Sequence, residues 1–133
     1  MILIVIFEII YLILTFDLMN NFNENNFAWA KELNLAITVS DLEDNVIYMN
    51  DKSKTTFPNT NIGDNLQNCH QKSSNETIQN LRDENISNTY TVEKNGVRKL
   101  IHQTPWYSDG KVAGLVELSI ELPNEMEHKI RKS

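Results

Sequence analysis

The stretch of sequence that decides the fold is TYTVEKNGVRKLIHQTPWYSDGKVAGLVELSIEL, residues 89–122. It contains three runs of strand-forming residues, joined first by Asn95-Gly96 and then by the longer turn Ser108-Asp109-Gly110. Asn-Gly and Asp-Gly between alternating apolar runs are strong hairpin signals, because both central residues of a type I′ turn need positive φ. The stretch therefore predicts an antiparallel meander of three strands.

The last of these strands divides its side chains into two sets. The even-numbered residues from Val112 to Leu122 are apolar or glycine, whereas the other face is largely polar and carries Lys111, Glu117, Ser119 and Glu121. This alternation is typical of an antiparallel sheet that is packed on one side.

Two prolines mark irregularities around the meander. Pro105 cannot donate a hydrogen bond to a neighbouring strand, so it predicts a bulge nearby. Pro123 ends the last strand, and Met126 and Ile130, four residues apart, favour an exit helix in the tail at 123–133.

Two shorter strands are predicted upstream. Residues 33–42 alternate, with Leu35, Ile37 and Val39 on one face, and residues 46–50 are rich in strand formers. A short helix is expected at 27–33, and Asn50 is placed to cap another that starts at Asp51.

Strand periodicity disappears between residues 51 and 88, where polar residues dominate. Ser73 and Glu76 form a capping box in front of a predicted helix at about 74–84. Only Ile78 and Leu81 form its apolar side, which favours a helix lying over a sheet.

The bulk properties limit the classes of function. A chain of 133 residues fits one domain, and its net charge of −6 argues against a nucleic-acid surface, which would need a basic patch. The lone Cys69 excludes an internal disulfide and is compatible with a reducing compartment, and no C-x-x-C pair suggests structural zinc.

The N-terminal segment, residues 1–22, conflicts with the rest of the chain. Residues 1–19 are almost wholly apolar, but Glu8 lies near their middle and no Lys or Arg precedes Lys31. Three interpretations stay open: a start assigned too early, with Met19 as the true start; a membrane anchor; and a buried or dimerising helix. We expect a cytoplasmic protein, attached to a membrane only if residues 1–18 are genuine.

The order of these elements, two strands, short helices and a three-stranded meander, resembles that of PAS domains. The matching residues are NVIYMN at 45–50, IGDNLQNCHQKSS at 62–74 and the closing strands, so the resemblance covers about 27–122. The stretch G-x-N-L-x-x-C-H-x-x-x-S, from Gly63 to Ser74, is similar to that of a bacterial subgroup of the family.

The resemblance implies an α+β fold, a PAS-like five-stranded antiparallel sheet with short helices covering one face. It also implies a small ligand or a signal-dependent core between the sheet and the helices. PAS domains bind haem, flavin, organic acids or nothing detectable, so the resemblance leaves the cofactor unknown, with haem among the alternatives.

Five residues are candidates for ligand binding: Asn65, Cys69, His70, His102 and Trp106. His70 is suited to a haem iron or a bound acid, and Cys69 to thiol sensing. The structural alternative is that Cys69 is a small buried hydrophobe, that His70 fixes its loop, and that Asn65 bonds its own backbone.

His102 and Trp106 share one face of the strand at 97–107, and Val97, Ile101 and Tyr107 share the other. If the first face points inward, both residues line a pocket, the alternative that we slightly favour. If it points outward, both belong to a dimer or partner surface, where aromatic residues are enriched.

No catalytic residue is assigned. A nucleophilic dyad of Cys69 and His102 lacks an orienting third group and a Gly-rich oxyanion turn. The possible metal ligands, which are Cys69, His70, His102 and His128, do not show the spacing of a metal site.

The sequence therefore predicts a non-catalytic sensory domain that binds an unidentified small molecule, forms a homodimer and signals to a partner protein in trans. One alternative is a ligand-free PAS module for dimerisation or docking. Another is a haem or redox sensor.

Overall fold

A computed structural model of the chain describes residues 1–21, 26–69, 78–81 and 83–133. Its centre is a five-stranded, wholly antiparallel sheet in the order β2-β1-β5-β4-β3. The strands are β1 (Ala36–Ser40), β2 (Val46–Met49), β3 (Asn88–Lys94), β4 (Val97–Ser108) and β5 (Lys111–Glu121). The predicted fold class is confirmed.

Among the described residues, one long helix and three short ones accompany the sheet. They are α1 (Ile2–Asn21), α2 (Ala28–Lys31), α3 (Asp51–Thr56) and α4 (Leu66–Cys69). Residues 78–81 are also helical, and they form the described part of the helix predicted at 74–84. The capping box of Ser73 and Glu76 lies outside the described residues. The tail after Pro123 contains no helix, unlike the exit helix that the sequence favoured.

Both hairpin turns of the meander have the predicted conformation. Asn95 and Gly96 have φ values of 53° and 76°, and Asp109 and Gly110 have values of 50° and 73°. Positive φ at two successive residues turns the chain with the twist of the flanking strands, so β3, β4 and β5 pair as successive antiparallel neighbours.

Pro105 lies in β4, which is paired with β5 on one side from Lys99 to Ser108. On the other side the pairing with β3 ends at Gln103. Pro105 lies beyond this last pair, so its missing N–H removes no hydrogen bond to β3. The register of β4 and β5 shifts between Trp106 and Tyr107, which confirms the predicted irregularity near this proline.

Asn50 joins β1, β2, α2 and α3 through one buried side chain. Its Oδ1 accepts from the backbone N–H of Ile37 at 3.0 Å and of Ser53 at 2.9 Å. Its Nδ2 donates to the carbonyl oxygens of Ala30 at 3.1 Å and Leu35 at 2.8 Å. The predicted cap of α3 is confirmed, and the same amide also holds the chain before β1.

The free edge of β2 is covered by the loop that precedes α4. The N–H of Val46 donates to the carbonyl of Asp64, and the N–H of Gly63 donates to the carbonyl of Val46, both at 2.8 Å. These bonds satisfy the edge strand, and they place the loop beside the sheet.

Helix α1 carries Glu8 among otherwise apolar residues from Ile2 to Leu14, and these apolar side chains are all exposed. Among the described residues, no helix combines the length and the apolar character needed to cross a bilayer.

We expect Asn50→Ala to lower the free energy of unfolding by roughly 3 kcal/mol or more, because it leaves two buried carbonyls and two N–H groups without their partner. Urea denaturation of the purified chain measures this loss. Asn59→Ala, at an exposed position, is the matched control and should stay within about 0.5 kcal/mol of the wild type. A loss below about 1 kcal/mol for Asn50→Ala would contradict the role given to this side chain.

Candidate functional site

A cavity of about 330 Å³ lies between the sheet and the short helices. Its size falls in the lower part of the range of small-molecule sites. Side chains from four strands, from the segments around α3 and α4 and from the helical residues 78–81 line it: Thr38, Ser40, Phe57, Thr60, Leu66, Ile78, Tyr90, Val92, Ile101, Gln103, Leu115 and Glu117.

The alternation of side chains along the strands decides which residues reach the cavity. On β4 these are Ile101 and Gln103, and on β5 they are Leu115 and Glu117. Because successive side chains of a strand point to opposite faces, the even-numbered residues of both strands lie on the other face of the sheet. Glu117, which the sequence pattern assigned to the polar face of β5, therefore belongs to the cavity wall.

The apolar part of the cavity is continuous with the core. Ile78, Leu81 and Leu115 are each 3% exposed and form one buried cluster. This contact places the helical residues 78–81 over β5, as predicted for a helix with a thin apolar side.

A chain of hydrogen-bonded polar side chains forms one wall of the cavity. Gln103 Nε2 donates to Glu117 Oε2 at 2.7 Å, and Asn88 Nδ2 donates to Gln103 Oε1 at 3.3 Å. Gln103 is only 6% exposed, and a buried amide needs such partners to offset its desolvation. The pair therefore has a fixed orientation beside the empty volume.

Tyr90 lies on the same face, at the mouth of the cavity on the edge strand β3. Burial, and secondly the negative charge of Glu117, raise the pKa of its phenol above the ordinary value. The neutral phenol therefore persists at physiological pH, where it offers an O–H donor beside an acceptor-rich wall.

Two hydroxyls of β1 are already engaged within the fold. The oxygens Thr38 Oγ1 and Ser53 Oγ are 2.6 Å apart, which links β1 to α3, and Ser40 Oγ donates to the carbonyl of Leu115 at 3.5 Å. The Gln103 and Glu117 pair is therefore the main polar feature that faces the cavity volume among the described residues.

Asn65, a predicted ligand-binding residue, is tied into the β1–β2 turn. Its Nδ2 donates to the carbonyl of Glu43 at 2.8 Å and to Asn45 Oδ1 at 3.0 Å, and its Oδ1 accepts from the N–H of Gln67 at 3.0 Å. These bonds cap α4 and hold it against the turn. Its neighbour Leu66, rather than Asn65, lines the cavity.

The two residues of the predicted Cys-His pair are placed less fully. Cys69 is the last residue of α4, and His70 lies outside the described residues. Within the described ranges, no three His, Cys, Asp or Glu side chains come together in a group able to hold a metal ion.

His102 and Trp106 lie on the face of the sheet opposite the cavity. His102 Nδ1 and Thr89 Oγ1 form a cross-strand hydrogen bond of 2.7 Å. Trp106 Nε1 donates to the carbonyl of Ser40 at 2.9 Å, across β5. The structure therefore separates these two predicted site residues from the cavity by the thickness of the sheet.

Gly114 permits the indole of Trp106 to cross β5. A Cβ atom at this position would lie 1.9 Å from the carbonyl oxygen of Ser40 and 2.6 Å from Trp106 Nε1. Only glycine leaves room for this contact between β4 and β1 over an intervening strand.

Gln103, Glu117 and Tyr90 were not among the site residues predicted from the sequence. The available signal was the set of polar side chains that alternates with apolar ones along β4 and β5. On β5 the apolar set is larger on the face opposite the cavity, so its pattern favoured the wrong side, whereas on β4 periodicity did not decide between the two faces.

A second depression, of about 750 Å³, lies between α1 and the turns at one end of the sheet. It is lined by residues of α1, by turn residues such as Leu42, Ile62 and Asp109, and by strand residues that include the buried Val46 and Ala113. Its hydrogen-bonded side chains, Asp41 and Asn45, are half-buried in the β1–β2 turn, whereas Gln103 in the wall of the first cavity is only 6% exposed, so we take the first cavity as the candidate site.

Comparison with solved structures identifies the fold. The chain is similar to a C-terminal domain from Streptococcus mutans, with a TM-score of 0.59 and 19% identity over 71% of this chain and 80% of that one. It is similar to the PAS domain of the histidine kinase ThkA, with a TM-score of 0.57 and 10% identity over 66% of this chain and 99% of that one.

A third similar structure is that of VqmA bound to DPO, with a TM-score of 0.60 and 15% identity over 77% of this chain and 58% of that one. No family model matches the chain, and no curated protein is similar to it. The fold is PAS-like.

Gly114→Ala should lower the free energy of unfolding by roughly 3 kcal/mol, because the added methyl group overlaps the Ser40 carbonyl and the Trp106 indole. Gly110→Ala is the matched control: its φ is also positive, but no atom lies within 4 Å of the added Cβ. It should cost only about 1 kcal/mol of backbone strain. Equal losses in urea denaturation would contradict a steric role for Gly114.

Proposed function

We propose that this chain is a non-catalytic PAS sensory domain that binds a small molecule in the cavity between its sheet and its short helices. The observation that carries the proposal is the cavity of about 330 Å³ with a hydrogen-bonded polar pair in a mostly apolar wall. A few oriented polar groups within an apolar cavity are typical of small-molecule sites.

The geometry of the cover supports a sensing role. Residues 51–69 carry only two helices, each of four to six residues, and they meet the cavity through half-buried side chains such as Phe57 and Leu66. Short helices of this kind depend on packing for their stability. A molecule in the cavity would add contacts to them and favour one arrangement over another.

The structural neighbours include a ligand-bound protein of the same fold, VqmA bound to DPO. VqmA of Vibrio cholerae has also been solved as a dimer. The present chain spans 58% of the length of VqmA, so we propose only that ligand binding and self-association are shared.

We propose that the signal leaves through a homodimer and a partner protein in the cytoplasm. The exposed apolar side chains of α1 favour self-association, because large exposed apolar patches mark interaction surfaces. The face of the sheet that carries His102 and Trp106 is a second surface available to a partner. Cys69 and His70 remain proposed ligand contacts, whereas the side chain of Asn65 is engaged with the β1–β2 turn.

Native mass spectrometry of the purified full chain tests ligand binding and oligomeric state together. We expect a dimer that carries a small-molecule mass excess, lost on denaturation. Thr60→Trp should lower the fraction carrying this excess by about tenfold, because the indole enters the cavity from its rim. Thr55→Trp, at an exposed position of α3, is the control and should retain it.

A wild-type chain without any mass excess would contradict the sensing function and favour the ligand-free docking module. An excess that survives equally in Thr60→Trp and Thr55→Trp would place the ligand outside this cavity. Circular dichroism of both variants checks that they fold.

A further inference from the structure

We infer that the cavity takes a small neutral or cationic molecule that presents N–H donors, such as an amidinium or a primary amide, and excludes carboxylates. This inference rests on the proposed function and specifies the chemistry of its ligand. It follows from the arrangement of charge and hydrogen bonds around Glu117.

The carboxylate of Glu117 has acceptor positions that a ligand can use. Its Oε2 accepts one hydrogen bond, from Gln103 Nε2 at 2.7 Å, and Glu117 forms no ion pair with another described residue. A carboxylate has about four acceptor positions, so most of its capacity is left for a molecule in the cavity. N–H donors satisfy such positions, and charged donors satisfy them most strongly.

The orientation of that carboxylate is fixed through Gln103. Gln103 is fixed by Asn88 on its acceptor side and by Glu117 on its donor side. The carboxylate therefore does not need to reorient when a ligand binds, and preorganised groups discriminate between ligands more strongly than mobile ones.

The described residues that line the cavity supply no cation to offset the charge of Glu117. None of the described residues that line the cavity is Lys, Arg or His. An anionic ligand would therefore lie beside a negative charge in a partly desolvated space, where like charges repel more strongly than in water. Tyr90 is the one described lining residue with a phenolic donor, and it is located at the mouth.

The rest of the cavity wall is mainly apolar. Ile78, Ile101 and Leu115 are buried, and Phe57 and Leu66 are half-buried around the same volume. A ligand that fits this surface has a compact apolar body, aromatic or aliphatic, with its N–H group at one end. The polar end is then directed at Glu117.

Three probes of the same shape test the inference: benzamidinium, which is cationic with donors; benzamide, which is neutral with donors; and benzoate, which is anionic without them. Each is titrated against the full chain by ligand-observed NMR. We expect benzamidinium to bind at least about tenfold more tightly than benzoate, and benzamide to lie between them.

Glu117→Gln should reduce the preference for benzamidinium over benzoate to about threefold or less, because it removes the charge and keeps the shape. Glu93→Gln is the control, since Glu93 is an exposed carboxylate on the edge strand. It should leave the preference unchanged.

Equal or tighter binding of benzoate would overturn the inference, and so would failure of all three probes to bind. A preference for benzamidinium that is unaltered in Glu117→Gln would overturn the assignment to this residue. A carboxylic acid found as the co-purifying molecule would overturn the inference but leave the proposed sensing function intact, so the two failures are distinguishable.

Discussion

The fold depends on the side chain of Asn50. Its Nδ2 donates two hydrogen bonds and its Oδ1 accepts two. All four partners are backbone groups, and they lie in α2, just before β1, in β1 and in α3. It is 1% exposed, so the bonds form in a space where an unpaired polar group would be costly. It closes the end of β2, begins α3 and holds the segment between α2 and β1, and these three effects fix the side of the sheet on which the helices lie.

The position of α3 then determines where the cavity forms. Ser53, one turn into α3, is fully buried and contacts Thr38 of β1, so the helix starts close to the sheet. The chain that follows leads to the loop beside β2 and then to α4, and Phe57, Thr60 and Leu66 of this stretch bound the cavity. The site is thus a consequence of a capped helix held at one edge of the sheet.

The opposite face of the sheet has a different organisation. The side chain of Trp106, on β4, crosses β5 at Gly114 and donates to the carbonyl of Ser40 on β1. It thereby links three neighbouring strands of the sheet. His102 is paired with Thr89 on the edge strand. These contacts engage His102 and Trp106 within the outer face, whereas the cavity, with Gln103 and Glu117 in its wall, lies on the inner face.

Local sequence signals predicted the elements well. The turn residues Asn95-Gly96 and Asp109-Gly110 have the positive φ values that their chemistry favours, and the cap at Asn50 forms as expected. These features depend on interactions within a few residues, so the sequence contains most of the information needed. The five-stranded sheet was implied by the resemblance to PAS domains, and the structure has it.

The orientation of the sheet could not be obtained in the same way. The side of β5 that faces the helices is set by Asn50, by the cluster of Ile78, Leu81 and Leu115, and by the crossing of Trp106 over Gly114. All of these are contacts between distant parts of the chain. The apolar face of β5, with Val116, Leu118 and Ile120, is half-buried on the outer side, and the mixed face forms the cavity. Periodicity identifies two faces, but only tertiary contacts assign their roles.

We propose that ligands bind the face of the sheet that carries Gln103, rather than the face that carries Trp106. The most direct test is a ¹H–¹⁵N spectrum of the labelled chain during a titration with benzamidinium, because the Gln103 side-chain amide and the Trp106 indole N–H report the two faces separately. We expect the Gln103 Nε2 signals to shift in proportion to occupancy while the Trp106 Nε1 signal stays in place. A shift of the indole signal with an unchanged Gln103 amide would contradict it.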